Sequence, residues 1–199
     1  MTDFFALLDE PRRPWLEPEP LKEKFLALSA TVHPDRVHNL GEAERAAAQE
    51  RYTELNAAYI CLREPKDRLH HLLQLELGAL PKDVQRIPSE LMDLSLEIGQ
   101  KCREADALLA EKARATSPLL QVKFFERGQE FSDKLHAMRQ RVNALNDQLI
   151  EKLKLADSAW QSGEPRAALL QKLEELYRLL SYFARWNAQL QERAVRLSF

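Results

Sequence analysis

Two long stretches of the sequence, residues 119–164 and 166–199, contain no proline and repeat apolar residues at steps of three and four. The repeated positions are Phe124, Phe131, Leu135, Met138, Val142, Leu145, Leu149, Leu153, Ala156 and Trp160, then Leu169, Leu173, Leu176, Leu180, Phe183, Leu190, Ala194 and Leu197. Such steps over several heptads predict long amphipathic helices that meet along coiled-coil-like seams. Gly128 shares the first stripe, where it predicts a close packing contact. A helix over 118–160 would be roughly 60 Å long, which predicts an elongated shape for this part.

The composition agrees with helices and disfavours several other classes of protein. Only 5 of the 199 residues are glycine, whereas nucleotide-binding α/β folds need glycine turns and strands rich in valine and isoleucine. The mean hydropathy of −0.46 argues against a membrane protein. The net charge of −2 gives no reason to expect nucleic-acid binding. We therefore expect an all-α protein whose partners are neither nucleic acids nor membranes.

Prolines divide the first third of the chain into shorter helices. The apolar steps predict a short helix at residues 4–8, a second helix near 19–32, a loop near 33–41 and a third helix near 42–63. A fourth helix, which carries Leu69, Leu72, Leu73 and Leu77, should end at Gly78, because glycine readily takes the left-handed conformation that closes a helix.

The remainder of the chain reads as a linker followed by three helices. Pro81 and Pro88 mark residues 79–88 as a connecting segment. Helices are predicted over about 89–115, 118–160 and 165–197, and short turns between helices favour antiparallel packing. We therefore predict an N-terminal domain at 1–76, a linker at 77–88 and an elongated antiparallel three-helix bundle at 89–199.

The tripeptide His33-Pro34-Asp35 lies between the second helix and the loop that follows it. Because proline ends a helix and stiffens the backbone, His33 and Asp35 should project from a rigid tip. Asp35 offers a carboxylate that can pair with an arginine of another protein, and Arg36 offers the reverse pairing. The tripeptide alone is a weak motif, and its specificity comes from the two matched amphipathic helices around it.

With these features the sequence resembles the J domain of DnaJ-type co-chaperones over about residues 3–75. Within that superfamily it is most similar to the iron–sulfur co-chaperone family HscB. Three segments carry the resemblance: Asp3–Leu8, Phe25–Arg36 and Leu55–Arg68. A more diffuse resemblance covers 89–199, where Leu91-Met92-Asp93 opens the bundle.

The resemblance implies that the tripeptide and the preceding helix dock on an ATP-bound seventy-kilodalton heat-shock chaperone, HscA-like or DnaK-like, and stimulate its ATP hydrolysis. The ATP chemistry would then belong to the chaperone, so this chain is expected not to be an enzyme and to need no cofactor. The docking residues would be Lys22, Lys24, His33, Pro34, Asp35 and Arg36.

The basic face of this J-like segment is thin. Residues 1–76 contain 10 basic and 14 acidic residues. Ala30 stands where the family often has a basic residue, and Val32 where an aromatic one is common. Since a basic stripe accelerates docking, the sequence predicts either weak binding or a specialised chaperone partner.

The resemblance also implies a client site for an IscU-like iron–sulfur scaffold protein. The residues that would form it are Leu91, Met92, Leu96 and Glu97 at the start of the bundle, with Leu179 from the last helix. Gly99-Gln100-Lys101 follows where the family would have more carboxylates, and the last two helices are longer than the family requires. A different client is therefore the alternative, and a coiled-coil adaptor with an inert J domain is a third possibility.

Other features of the sequence carry less information. His33, Asp35 and His38 could be imagined as metal ligands, but no further His or Cys cluster lies nearby, so no metal site is expected. Cys61 and Cys102 form no Cys-x-x-Cys motif and predict a reducing compartment. The N-terminus has no basic region followed by an apolar one, which favours a cytoplasmic location.

Overall fold

The structure, a computed structural model, describes residues 2–37, 39, 41–79, 87–115 and 117–198. Within these residues the regular secondary structure is entirely helical, which confirms the all-α prediction. None of the described helices combines the length and the apolar character that a membrane span requires. A single 3₁₀ turn, Ser89–Leu91, precedes α6. The α-helices are α1 Phe4–Leu7, α2 Pro18–Thr31, α3 Pro34–Val37, α4 Glu42–Arg63, α5 Pro65–Leu77, α6 Met92–Arg114, α7 Pro118–Gln161 and α8 Arg166–Ser198.

The segment predicted as a loop at 33–41 contains a helical turn, α3, so this part of the prediction was wrong. Helix α2 ends at Thr31, shortly before Pro34. A proline disfavours the helical conformation of the residue that precedes it, which here is His33. Pro34 then opens α3, a position where its fixed φ is favourable and its missing N–H costs nothing. The Arg36 amide donates to the His33 carbonyl at 2.9 Å and closes the turn.

Local signals account for the ends of the first helices. The Asp3 carboxylate caps α1 by accepting hydrogen bonds from the amides of Phe5 at 3.0 Å and Ala6 at 3.3 Å. Gly78 has a φ of +67° and ends α5 in the left-handed conformation, as predicted.

The described chain groups into two compact units. One comprises Met1–Lys82 with Ile150–Tyr177, and the other Asp83–Leu149 with Arg178–Phe199. Helices α7 and α8 therefore contribute residues to both units. The domain limits 1–76 and 89–199 stay a prediction, and most of the predicted linker, residues 80–86, lies outside the described residues.

The first unit is built around the antiparallel pair α2 and α4. Phe25 stacks on Tyr59 and His33 meets Tyr52, so advancing along α2 corresponds to going back along α4. Helix α4 also packs against α1 and α5. The fully buried apolar side chains of this unit include Phe5, Leu8, Leu21, Leu55, Leu62, Leu69, Leu72 and Leu73. Burial of each such side chain stabilises the folded state by about 1.5–3 kcal/mol. Because α2 buries Leu21 in this core, its opposite face is exposed to solvent.

The end of α7 completes the first unit by holding the proline-rich segment 11–17. The buried carboxylate of Asp157 accepts a forked pair of hydrogen bonds from the Arg13 guanidinium and one from the Trp15 amide at 3.1 Å. The Trp160 indole donates to the Arg12 carbonyl at 3.0 Å. The sequence stripe had predicted Trp160 as a core residue; it is buried and also makes this polar contact.

In the second unit, ion pairs show that α6 and α7 run antiparallel. Arg141 of α7 contacts Glu97 of α6 at 2.7 Å, and Arg127 contacts Glu111 at 3.2 Å. Going forward along α6 therefore corresponds to going back along α7. This confirms the predicted antiparallel arrangement for the first two helices of the bundle.

Helices α7 and α8 also run antiparallel in the second unit, and they approach closely at Gly128. A Cβ atom at Gly128 would lie 2.8 Å from the Leu197 carbonyl oxygen, so only glycine fits without a shift. One turn further along α7, the Ser132 hydroxyl donates to the Ala194 carbonyl at 3.3 Å. The close contact predicted for this glycine is confirmed.

Candidate functional site

His33 is held between α3 and α4. Its imidazole meets the Tyr52 ring edge-on, with the ring centres 5.7 Å apart. Its Nδ1 accepts a hydrogen bond from the Asp35 amide at 3.3 Å, and a carboxylate oxygen of Asp35 lies 3.7 Å from the same nitrogen. The imidazole thus ties the first turn of α3 to the aromatic surface of α4.

Asp35 and Arg36 present opposite charges on the exposed side of α3. The Asp35 side chain is 90% exposed, and Arg36 is exposed as well. Because Pro34 opens α3 and His33 accepts from the Asp35 amide, the backbone beneath the carboxylate is fixed. A partner that brings a guanidinium to Asp35 would meet a preorganised carboxylate.

An open groove of about 470 Å³ runs beside these charges, and we call it the α2–α3 groove. Leu26 stands in it with 53% of its area exposed, whereas Ser29 is buried and donates to the Leu26 carbonyl at 3.2 Å. The groove lies beside the second half of α2, where it can accept an apolar side chain of a partner. Its lining residues are Phe25, Leu26, Ser29, Ala30, His33, Asp35, Arg36 and Tyr52.

The two lysines predicted for docking have different environments. They are two positions apart on a helix, so their side chains point about 200° away from each other. Lys22 is one turn before Phe25 and Leu26, on the groove side, with Glu19 3.7 Å from its ammonium. Lys24 instead donates to the Asp9 carbonyl at 2.6 Å and pairs with Glu10 at 2.9 Å. Lys22 therefore shares the helix face of Phe25 and Leu26 without lining the groove, and Lys24 lies against the N-terminal turn.

Sequence reasoning missed an aromatic platform next to the groove. Phe25 and Tyr59 stack with ring centres 4.3 Å apart and planes 8° apart. The Arg63 guanidinium lies over the Tyr59 ring, 5.9 Å from its centre. Phe25 and Tyr59 are both only partly buried. The four-residue step from Tyr59 to Arg63 was the available signal, since such pairs meet on a helix surface.

A buried arginine supports this face from within the first unit. Arg68 is 1% exposed and donates to the carbonyls of Pro14 at 2.9 Å and Leu62 at 2.7 Å. Its guanidinium also lies 5.1 Å from the centre of the Trp15 ring. Burial lowers its pKa to about 10, so it remains protonated at neutral pH. Arg68 thereby ties the end of α4 and the proline-rich segment to α5.

Of the four predicted client residues at the start of the bundle, two are exposed. Met92 is 43% and Leu96 63% exposed, whereas Leu91 is half-buried. Glu97 is 42% exposed at its side chain and pairs with Arg141. Two apolar side chains one turn apart therefore face solvent, beside a carboxylate that already has a partner.

Leu179 lies level with Met92 in the second unit. Arg193 of α8 pairs with Asp106 of α6 at 2.9 Å, and the two helices are parallel because each is antiparallel to α7. Met92 precedes Asp106 by the same fourteen positions by which Leu179 precedes Arg193. At 1.5 Å per residue, both lie roughly 21 Å back along their helices, on nearly the same side as the ion pair. Leu179 is half-buried there.

Comparison with known proteins gives this geometry a context. No protein-family model matches the chain. A stretch of 106 residues is 30% identical to the co-chaperone protein HscB homolog of Chromobacterium violaceum and covers 53% of this chain and 61% of that protein. The chain is HscB-like. It is also 38% identical over 72 residues to the homolog of Bordetella pertussis, with 36% and 42% covered, and 25% identical over 172 residues to that of Mannheimia succiniciproducens, with 76% and 99% covered.

The extent of these matches differs between relatives. The chain spans 61% and 42% of the length of the Chromobacterium and Bordetella proteins, and nearly all of the Mannheimia one. Two solved structures have a similar fold. The chaperone HscB from Vibrio cholerae has a TM-score of 0.62, 19% identity and coverage of 98% of this chain and 99% of that one. Human HscB has a TM-score of 0.66, 19% identity and coverage of 96% and 82%. The expected fold, a J domain with a helical bundle, is confirmed.

A second exposed apolar group lies in the second unit of this HscB-like chain, at the start of α7. It was not predicted, because its spacing does not continue the seam that begins at Phe124. Leu119 is the most exposed member, at 80%. The group, which we call the α7 cluster, consists of Leu119, Leu120, Val122 and Phe125.

Metal-binding and thiol groups contribute little to the site. Within the described ranges, no three His, Cys, Asp or Glu residues group in a way that could hold a metal ion, and His38 lies outside those ranges. Cys61 is partly buried and its thiol donates to the Asp67 carbonyl at 3.5 Å. Burial, with the nearby Asp67 charge, raises its pKa to about 11. Cys102 is buried in α6.

Proposed function

We propose that this chain is a co-chaperone whose α2–α3 groove docks on an ATP-bound seventy-kilodalton heat-shock chaperone and stimulates its ATP hydrolysis. The observation that carries the proposal is the arrangement of His33 and Asp35. The His33 imidazole contacts Tyr52 and accepts from the Asp35 amide, and the Asp35 carboxylate is 90% exposed on the one-turn helix α3. Proteins named HscB co-chaperones are the similar proteins, which supports the same assignment.

The chemistry of hydrolysis would belong to the chaperone in this proposal, and the chain itself would not act as an enzyme. Asp35 would take an arginine of the chaperone, and Arg36 and Lys22 would meet its carboxylates. Leu26 would enter an apolar contact between these charges. Lys24 would contribute indirectly, because its bonds to Asp9 and Glu10 hold the N-terminal turn against α2.

The bundle would deliver an IscU-like iron–sulfur scaffold protein. Support comes from the exposed side chains of Met92 and Leu96 and from Leu179 at the same level of α8. The separation of the two activities into segments 1–76 and 89–199 is part of the proposal.

Single-turnover ATP hydrolysis by an HscA-like and a DnaK-like chaperone tests the docking step. The unaltered chain should accelerate hydrolysis by at least one of them, and Asp35→Asn should abolish the acceleration while leaving the fold intact. Asp133→Asn is a matched control, because Asp133 is an exposed carboxylate of α7. The proposal is wrong if the unaltered chain accelerates hydrolysis by neither chaperone, or if Asp35→Asn accelerates it fully.

A different client is the second candidate, and the α7 cluster is the observation that favours it. This cluster exposes four large apolar side chains, whereas the predicted client surface on α6 exposes two. Binding of an IscU-like scaffold that survives Met92→Ser with Leu96→Ser, or no binding at all, would favour this reading. Replacing Leu119 and Val122 with serine should then remove the client that the α7 cluster binds.

A further inference from the structure

The guanidinium of Arg63 in α4 lies over the aromatic platform that Phe25 and Tyr59 form. Arg63 is therefore a cation beside α2 that does not belong to the basic face of α2 itself. Arg63 lies 5.9 Å from the centre of the Tyr59 ring, and Tyr59 is stacked on Phe25 at 4.3 Å. An arginine held over a ring gives up less conformational freedom when it binds a partner than one in free solution. The guanidinium is 51% exposed at its side chain, so a partner can reach it.

The helix register places Arg63 at the end of the platform away from His33. Helices α2 and α4 are antiparallel, since Phe25 meets Tyr59 and His33 meets Tyr52. Lys22 precedes Phe25 by one turn, and Arg63 follows Tyr59 by one turn. Both cations therefore flank the same end of the stack, whereas Arg36 lines the α2–α3 groove at the other end. The eleven residues from Lys22 to His33 separate these ends by roughly 16 Å.

Glu64 forms an ion pair with Arg63 in the structure. The Arg63 Nε lies 3.3 Å from a Glu64 carboxylate oxygen, and the Glu64 side chain is 55% exposed. Glu64 is the residue before α5, but its side chain makes no capping hydrogen bond there. An exposed pair of this kind is worth only about 0–1 kcal/mol, so a carboxylate of a partner can displace Glu64 or add to it through the remaining guanidinium N–H groups.

We propose that Arg63 is a specificity-determining contact for the chaperone, pairing with an acidic residue of its surface, and that Glu64 competes with that residue for the guanidinium. The inference rests on the proposed docking function. It adds, from α4, a positive charge beside Lys22 at the end of the platform away from the last turn of α2, which reads Ser29-Ala30-Thr31 and has no basic residue.

The test is the concentration of this chain that gives half-maximal acceleration of chaperone ATP hydrolysis, measured for full-length variants at low and high salt. At low salt, Arg63→Gln should raise that concentration by roughly 3- to 10-fold and leave the maximal rate unchanged. Glu64→Gln should lower it by about 2-fold, because the competing carboxylate is removed. Both differences should shrink at high salt, since exposed charges are screened.

Arg51→Gln is the matched control, because Arg51 is also an α4 arginine in an exposed pair, with Glu54 at 3.4 Å, and does not line the groove. Arg63→Lys keeps the charge and should recover part of the binding, which separates charge from folding effects. If Asp35→Asn abolishes stimulation but Arg63→Gln and Glu64→Gln leave the half-maximal concentration unchanged, the inference about Arg63 is wrong and the docking function stands. If the unaltered chain stimulates no chaperone, the docking function fails and the inference with it.

Discussion

At the scale of single residues, the J-like unit depends on polar side chains that are buried with exact partners. His71 is one of them: its Nε2 accepts a hydrogen bond from the Phe4 amide at 3.0 Å, and its ring stacks on Phe4. Burial lowers the pKa of His71, and the neighbouring His70 charge lowers it further, although Asp3 acts in the opposite direction. The folded protein therefore favours the neutral imidazole of His71, because only an unprotonated Nε2 can accept the hydrogen bond from the Phe4 amide.

This gives a prediction for stability against pH. Since the pKa of His71 is lower in the folded than in the unfolded chain, the unfolded chain binds more protons below the ordinary pKa of 6.5. The free energy of unfolding should fall as the pH is lowered from 7 through 6.5 to about 5, measured by urea titration. His71→Gln should reduce this slope, whereas His136→Gln, at an exposed position of α7, should leave it unchanged. An identical slope for both variants would contradict the role given to His71.

The Asp3 carboxyl works in a lower pH range. Burial alone would raise its pKa, but hydrogen bonds from Arg12 and the Ala6 amide outweigh that effect, and the pKa is lowered. The cap of α1 therefore contributes stability above its ordinary pKa of 3.8 that is lost on further acidification.

At the scale of helices, segments with an apolar pattern were predictable and polar ones were not. The apolar steps predicted a helix near 42–63, and α4 is Glu42–Arg63, because many core positions specify one face. One-turn α3 was missed because Pro34–Val37 has no apolar pattern, whereas the equally short α1 was predicted from its phenylalanines and leucine. The pattern also grouped Lys22 with Lys24, although the sequence could not show that Asp9 and Glu10 lie beside Lys24. Similarly, the bond from Arg13 to Asp157 joins residues 144 positions apart, which no local pattern reports.

Two glycines inside helices allow a matched test of the α7–α8 contact. An added Cβ at Gly128 meets the Leu197 backbone at 2.8 Å, whereas one at Gly99 meets the end of the Arg103 side chain at 3.5 Å. Gly99→Ala should stabilise the protein by about 0.5–1 kcal/mol, because alanine favours a helix more than glycine does. Gly128→Ala should instead destabilise the protein, because overpacking against α8 costs about 1–3 kcal/mol. This cost outweighs the gain in helix propensity. Urea unfolding of both variants measures the difference, and equal stabilisation would show that α8 does not approach Gly128 closely.

At the scale of the whole molecule, we propose two binding surfaces on one chain. Asp35 and its neighbours would form the surface for the chaperone, in the first unit, whereas Met92 and Leu96 are exposed in the second. Length and periodicity predicted the helical bundle and its antiparallel order. They could not predict that the last turns of α7 would join the first unit, since that depends on Asp157 finding Arg13 and Trp15.

We propose that the same molecule brings a client to the chaperone and stimulates its ATP hydrolysis. The most direct measurement is single-turnover ATP hydrolysis by the chaperone with an IscU-like scaffold and the unaltered chain, with Asp35→Asn, with Met92→Ser plus Leu96→Ser, and with an equal mixture of the two variants. We expect the unaltered chain and the scaffold together to accelerate hydrolysis more than either does alone. Each variant should lose this joint acceleration, and the mixture should not restore it. Full restoration by the mixture, or joint acceleration that persists in Asp35→Asn, would show that one molecule need not carry both surfaces or that Asp35 is not needed for docking.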